Sequence, residues 1–175
     1  MKIISLPTNK LPCDEYTRLQ CMYGCPNYKR NPLCPPGCPD FEWFNKLLNS
    51  YSSAVIFYKF YEFESKQELH KNRFDFQESL IKEEFRFKKE GNYYALSFTS
   101  GPCILCGERN CTKTECNRKT IGRSPICSTG LNLKKIIVDY VGLKAEDFVY
   151  YWDFLELKFD TITDRKDLNI GLILL

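Results

Sequence analysis

The sequence predicts an α+β or α/β fold: one small sheet of about four strands, packed helices and two cysteine-rich metal-binding loops. Three observations predict it. β-branched and aromatic runs alternate along the chain with stretches of helical period. A length of 175 residues favours one domain with elaborated loops, residues 1–175, over two. Ten cysteines fall into two groups, within residues 13–40 and 101–127, either side of a cysteine-free stretch.

The opening MKIISLPTNK carries only a short apolar run, interrupted by Pro7, and lacks the length and cleavage pattern of a secretory signal. From Cys13 to Asp40 the chain is dense in Pro, Gly, Asn and Cys, with no lasting period, and reads as a loop that a ligand must organise. FEWFNKLLNSY then places Phe41, Phe44, Leu47 and Leu48 at helical spacing, with Asp40 as N-cap, for about three turns. Ala54 to Phe63 is apolar on both alternations, which suits a central strand covered on two faces.

Ser65 to Glu90 predicts a long helix with two apolar lines. Leu69, Phe76, Leu80 and Phe87 form one, and Phe74, Ile81 and Phe85 the other, about 140° round at ~100° per residue. The first line is expected to cover the strand AVIFYKF, the second to bury against the cysteine loops or in a homodimer contact. Gly91 is the expected C′ residue, and YYALSFT a strand leading into the second cysteine loop. LNLKKIIVDYVG has a helical period closed by Gly142, and the tail offers two strand-like runs, FLELKFDTI and NIGLILL, around the turn-like DRKD.

Hydrophobic residues at 43%, with 13 Phe, 11 Tyr and 2 Trp, imply a globular, aromatic-rich core. No apolar run approaches the roughly 18 residues of a spanning helix, so a soluble cytoplasmic protein without membrane partners is expected. In that compartment clustered cysteines read as metal or redox groups rather than disulfides. A formal charge of +3 is too small to imply nucleic-acid binding. Locally, Arg109, Lys113, Arg118, Lys119 and Arg123 surround the second cysteine group. They read either as a solvated basic loop or as cations offsetting a thiolate-ligated centre.

Cys21, Cys25, Cys34 and Cys38 form the first candidate ligand set, with proline directly after the last three. Close pairs lose little entropy when a metal closes the loop between them, and each proline stiffens the pocket wall. Cys103 and Cys106 form a C-x2-C pair, with Cys111 and Cys116 at further steps of five, giving a second set of four thiolates. Four thiolates suffice for one tetrahedral zinc or one [4Fe–4S] cluster. Irregular spacings with Cys-Pro steps, rather than two evenly spaced C-x2-C knuckles, favour iron–sulfur over zinc. Cys13 or Cys127 reads as a small buried side chain. His70 reads as solvent-facing, and no P-loop, G-x-G-x-x-G or C-x3-C-x2-C run is present.

The string C-x-Y-G-C-x-x-Y followed by CPP, then GPC-x-LC with a later Cys-x-Arg and R-x-P, resembles the domain-of-unknown-function family 2284, predicted metal-binding proteins, from about Cys21 to the final strand GLILL. The resemblance implies a metal or iron–sulfur role for Cys21, Cys25, Cys34, Cys103, Cys106 and Cys116. Two departures stand out. Arg109 occupies the place where the family tends to continue C-x2-C with a third cysteine, and Cys127 the place of a family glutamate, which makes Cys127 a candidate replacement ligand in the second centre.

The expected function is that of a cytoplasmic iron–sulfur protein with one or two clusters of the [4Fe–4S] type and a redox or electron-transfer role with a partner protein. Structural zinc mediating partner interaction is the alternative, with a metal or sulfur carrier as a third reading.

Overall fold

The structure, a computed structural model, describes residues 1–107, 111, 115–144 and 166–175. Four strands, β1 (Lys2–Pro7), β2 (Ser53–Glu62), β3 (Leu96–Thr99) and β4 (Lys166–Leu174), form an antiparallel sheet in the order β1-β2-β4-β3. The class is therefore mixed α+β with an antiparallel sheet. Register pairs Ala54 with both Leu6 and Leu174, and Leu96 with Leu174. Around the sheet run α1 (Tyr16–Met22), α2 (Phe41–Leu48), α3 (Lys66–Lys89) and α4 (Leu133–Ile136), the last continued by a π-helical turn over Ile137–Val141.

Period-two alternation sends neighbouring residues of the central strands to opposite faces, and both faces are covered. Ala54, Ile56, Leu172 and Leu174 pack with Phe44 and Leu48 of α2, Ile126, Leu131 and Ile136. Val55, Phe57 and Ile173 pack with Phe76 and Leu80 of α3. The helix approaches β4 so closely that a Cβ on Gly171 would stand 2.5 Å from a Leu80 methyl. Since Leu80 is fully buried, any side chain at 171 would have to displace it from its packing on the sheet.

Helix α3 forms as its sequence predicts. The Ser65 hydroxyl accepts from Glu68 N–H, while the Glu68 carboxylate accepts from Glu64 N–H, a capping-box arrangement displaced by one residue. At the other end Asn92 N–H donates to Phe87 C=O and Gly91 N–H to Lys88 C=O, the Schellman pattern, with Gly91 at φ 101°. Asp40 caps α2 through Trp43 N–H at 2.8 Å, and Asn132 caps α4 through Lys135 N–H. The second apolar line of α3 divides: Ile81 is 6% exposed, but Phe74 and Phe85 keep 37% and 40% of their surface.

Three elements differ from the sequence reading. The first residues form an edge strand, since Pro7 ends the run as its last residue, where no further ladder donor is needed. A helix, α1, forms inside the first cysteine loop because the Asp14 carboxylate accepts from both the N–H and the hydroxyl of Thr17. The final strand starts at Lys166, inside the expected turn, because Arg73 of α3 grips Asp167 with two hydrogen bonds of 2.9 and 2.8 Å. The expected strand FLELKFDTI lies outside the described residues. Among the described residues no helix is long and apolar enough to cross a membrane.

Candidate metal centre

All ten cysteines are free thiols. Helix α1 carries Cys21, buried at 3% exposure, and the loop after it carries Cys25 and the buried Cys34. These three line one cavity of about 370 Å³, together with Cys127 from the 3-10 turn Ile126–Thr129. The cavity is walled by Phe76 and Gln77 of α3 and by Asn169 and Ile170 of β4, with His70 and Arg73 also on its lining. His70 is exposed, as its sequence position suggests.

The sulfurs of the first loop act on one another. Cys21 and Cys127 act on one another, Cys127 lowering the Cys21 pKa and Cys21 raising that of Cys127, with burial raising both and Arg18 favouring the Cys21 thiolate. Burial pushes Cys34 well above the ordinary thiol value, and charge on Cys25, Cys38, Cys21 or Cys103 would push it further. Cys25 is raised by burial, partly offset by N–H donors from Asn27 and Tyr28. Buried thiols crowded in this way cannot all ionise unless a cation neutralises them. Among the described residues no three Cys, His, Asp or Glu side chains already form a cage for one bare ion.

Cys38 and Cys13 stand differently. The Cys38 sulfur donates to the Ser128 carbonyl at 3.8 Å and lines a separate cavity of about 140 Å³ beside Trp43 and Phe44. Its pKa is raised by burial and by Cys21. Cys13 packs on the main core and pairs with Leu131 in an isolated bridge, and burial pushes its thiol to about 11.

The second loop leaves the sheet where β3 ends and returns beside it, Thr99 N–H donating to Ser124 C=O at 3.2 Å. Helix α3 holds its start: the buried Gln77 amide donates to Pro102 C=O at 2.9 Å and accepts from Ile104 N–H at 3.0 Å. Within the loop, burial raises the pKa of Cys103, N–H groups of Leu105 and Arg123 lower it, and Cys116 and Cys106 raise it again. Cys111 is raised by burial and then by Cys106, Cys103 and Cys116. Cys111 thus feels the charge of the other three predicted thiols, and Cys103 that of Cys106 and Cys116. A Cβ on Gly122 would stand 2.6 Å from the Cys116 sulfur, so glycine leaves that thiol its place.

The two loops abut. Asn31 Nδ2 donates to Cys103 C=O at 3.3 Å, Leu33 flanks the space over Gly122, and Cys34 and Cys103 act on each other electrostatically. Of the basic residues near the second loop, Arg118 donates to Leu105 C=O and Lys119 pairs with Glu115 at the surface. Arg123 is instead buried against Glu84 of α3, a partnership that spacing could not reveal. Arg109 and Lys113 lie outside the described residues.

Gln77, Glu84 and Asp167 support the site without being singled out by any sequence motif. The available signal was a polar or charged residue on the apolar face of a helix or strand: Gln77 follows Phe76, and Glu84 stands three residues after Ile81. Compared with known families, the chain matches the model of a family described as predicted metal-binding protein (DUF2284) over residues 4–149. The matched stretch begins earlier than the motif at Cys21 and ends before β4. No curated protein and no solved structure matches the chain.

Proposed function

The chain belongs to the DUF2284 family of predicted metal-binding proteins, and on that premise we propose that it is an iron–sulfur protein with a redox role. Cys21, Cys25 and Cys34 would serve the first centre and Cys103, Cys106, Cys111 and Cys116 the second. The observation that carries the reading is the first cavity, where buried thiols from α1 and the loop after it line about 370 Å³. That is several times the room one ion needs. Zinc with bonds near 2.3 Å would draw its sulfurs to roughly 3.8 Å from each other, whereas a cluster inserts its own sulfide between them.

The surroundings support the same reading. Backbone N–H groups of Asn27 and Tyr28 favour the Cys25 thiolate and those of Leu105 and Arg123 the Cys103 thiolate, the kind of donors that tune a thiolate-bound centre. When bound, an iron–sulfur cluster supplies one-electron chemistry that the side chains lack. The chain's own part is to bury the thiolates, donate hydrogen bonds to them and place Arg118 beside the second set. A redox partner protein, reached in the cytoplasm, completes the proposal.

The test is purification without oxygen, followed by metal and acid-labile sulfide analysis. Iron with matching sulfide and broad visible absorption is the expected result. Colourless protein carrying zinc and no labile sulfide, after growth with iron available, would replace it with the structural-zinc reading.

A further inference from the structure

We propose that Cys127 is the fourth thiolate of the first centre, joining Cys21, Cys25 and Cys34, and that Cys38 stands outside the ligand set as a buried thiol. The assignment rests on the metal-binding reading of the first cavity, and it names a ligand from a distant part of the chain, 89 positions after Cys38.

The cavity linings carry it. Cys127 lines the same cavity as Cys21, Cys25 and Cys34, whereas Cys38 lines the other. Cys21 and Cys127 also shift each other's ionisation, and Cys34 and Cys25 act on Cys127 in the same sense as Cys21. The turn Ile126–Thr129 takes part in both linings: Cys127 and Ser128 line the first cavity, Thr129 lines the second with Cys38.

The turn is built to hold that position. Ile126 is fully buried in the core, the Ser128 hydroxyl donates to Pro125 C=O at 2.7 Å, and the Thr129 hydroxyl donates to Ile126 C=O at 2.6 Å. Both flanks of Cys127 are therefore fixed, and a ligand fixed before binding loses little freedom when the metal arrives. Cys38 already spends its S–H on a protein carbonyl in a pocket with Trp43, Phe44 and Phe98, an arrangement suited to a neutral thiol. The second loop supplies four thiols of its own, Cys103, Cys106, Cys111 and Cys116, enough for a centre without Cys127.

The experiment compares full-length Cys127→Ala, Cys127→Asp and Cys38→Ser with the parent chain, all prepared without oxygen. Iron, zinc and labile sulfide are counted per chain, folding is followed by circular dichroism, and reduced samples are examined by electron paramagnetic resonance. Cys127→Ala should lose one centre's worth of metal, about half if both sites fill. Cys127→Asp, which restores an anionic ligand, should regain metal with an altered resonance signature or potential. Cys38→Ser should keep the parent's metal and spectrum.

A folded Cys38→Ser protein that loses a centre would overturn the assignment, as would full metal in Cys127→Ala. If the alanine variant does not fold, the aspartate variant decides: parent-like metal and an unaltered signature would count against Cys127. Parent protein holding zinc without sulfide would remove the iron–sulfur reading alone, because the metal counts of the variants would still identify the ligand.

Discussion

Glu84 shows at the scale of one residue how the second loop is tied to the fold. Burial alone would raise its pKa, but hydrogen bonds from Arg123, Lys88 and Ser97 outweigh it and bring the carboxyl to about 2. Ser97 contributes both N–H and hydroxyl, at 2.9 and 2.6 Å. A folded pKa below the ordinary 4.5 means the stabilisation is fully present above that value and is lost as pH falls toward about 2. The shift corresponds to something on the order of 3 kcal/mol at neutral pH. Acid titration of the parent should therefore show unfolding that Glu84→Gln flattens, and Glu84→Gln itself should cost about 3–5 kcal/mol by leaving Arg123 buried without its partner. An unchanged denaturation midpoint at pH 7 would contradict this.

Arg118 and Cys106 make a second residue-scale pair. Cys106→Ser should remove about one centre's worth of iron and sulfide, while Arg118→Glu should leave both intact and lower the reduction potential of the second centre. The sign follows from charge: a cation within a Debye length of ~8 Å stabilises the more negative, reduced state. Arg118 meets the loop at Leu105 C=O, between Cys103 and Cys106. Protein-film voltammetry at low salt reads the shift, and an upward movement would refute the assignment of charge.

At the scale of elements, α3 does two jobs with different faces. Phe76 and Leu80 cover the sheet, and Gln77 with Glu84, flanking the buried Ile81, clamps the second loop. Gln77→Ala would leave Pro102 C=O and Ile104 N–H without partners, at about 1–3 kcal/mol each if water cannot reach them. The variant should still fold, with its sheet amides protected, but take up less metal at the second loop, as iron analysis would show. The covering face was legible in the sequence because apolar spacing records which side is buried. The clamping face was not, because a glutamine beside a phenylalanine has the same letter whether it faces water or a backbone. Likewise Asp14 and Asp40 are both N-terminal caps, but only Asp40 precedes a visible period. Proline and glycine density concealed α1, and a single pair of hydrogen bonds to Thr17 made it.

At the scale of the whole molecule, two loops far apart in sequence are brought side by side at one end of the layered core. The two cysteine groups were legible, because clusters announce themselves by count. The proposed partition was not, since spacing groups Cys38 with Cys34, while one cavity is lined by Cys21, Cys25, Cys34 and Cys127 and another by Cys38. The sheet's own interior is made of Ile, Leu, Val, Phe and Ala and contains none of the proposed ligands. The loops by contrast rest on the short α1, turns and a few cross-links such as Asn31 to Cys103 C=O. Removing metal should therefore open the two loops without unfolding the sheet, because local stability follows local apolar burial. Hydrogen exchange on loaded and anaerobically chelated protein should show large gains in residues 20–38 and 101–107, with β2 and β4 and the Phe76–Leu80 turn of α3 unchanged. Uniform loss of protection across the sheet would mean that the centres hold up the entire fold, and exchange unaltered in both loops would mean that metal is not what organises them.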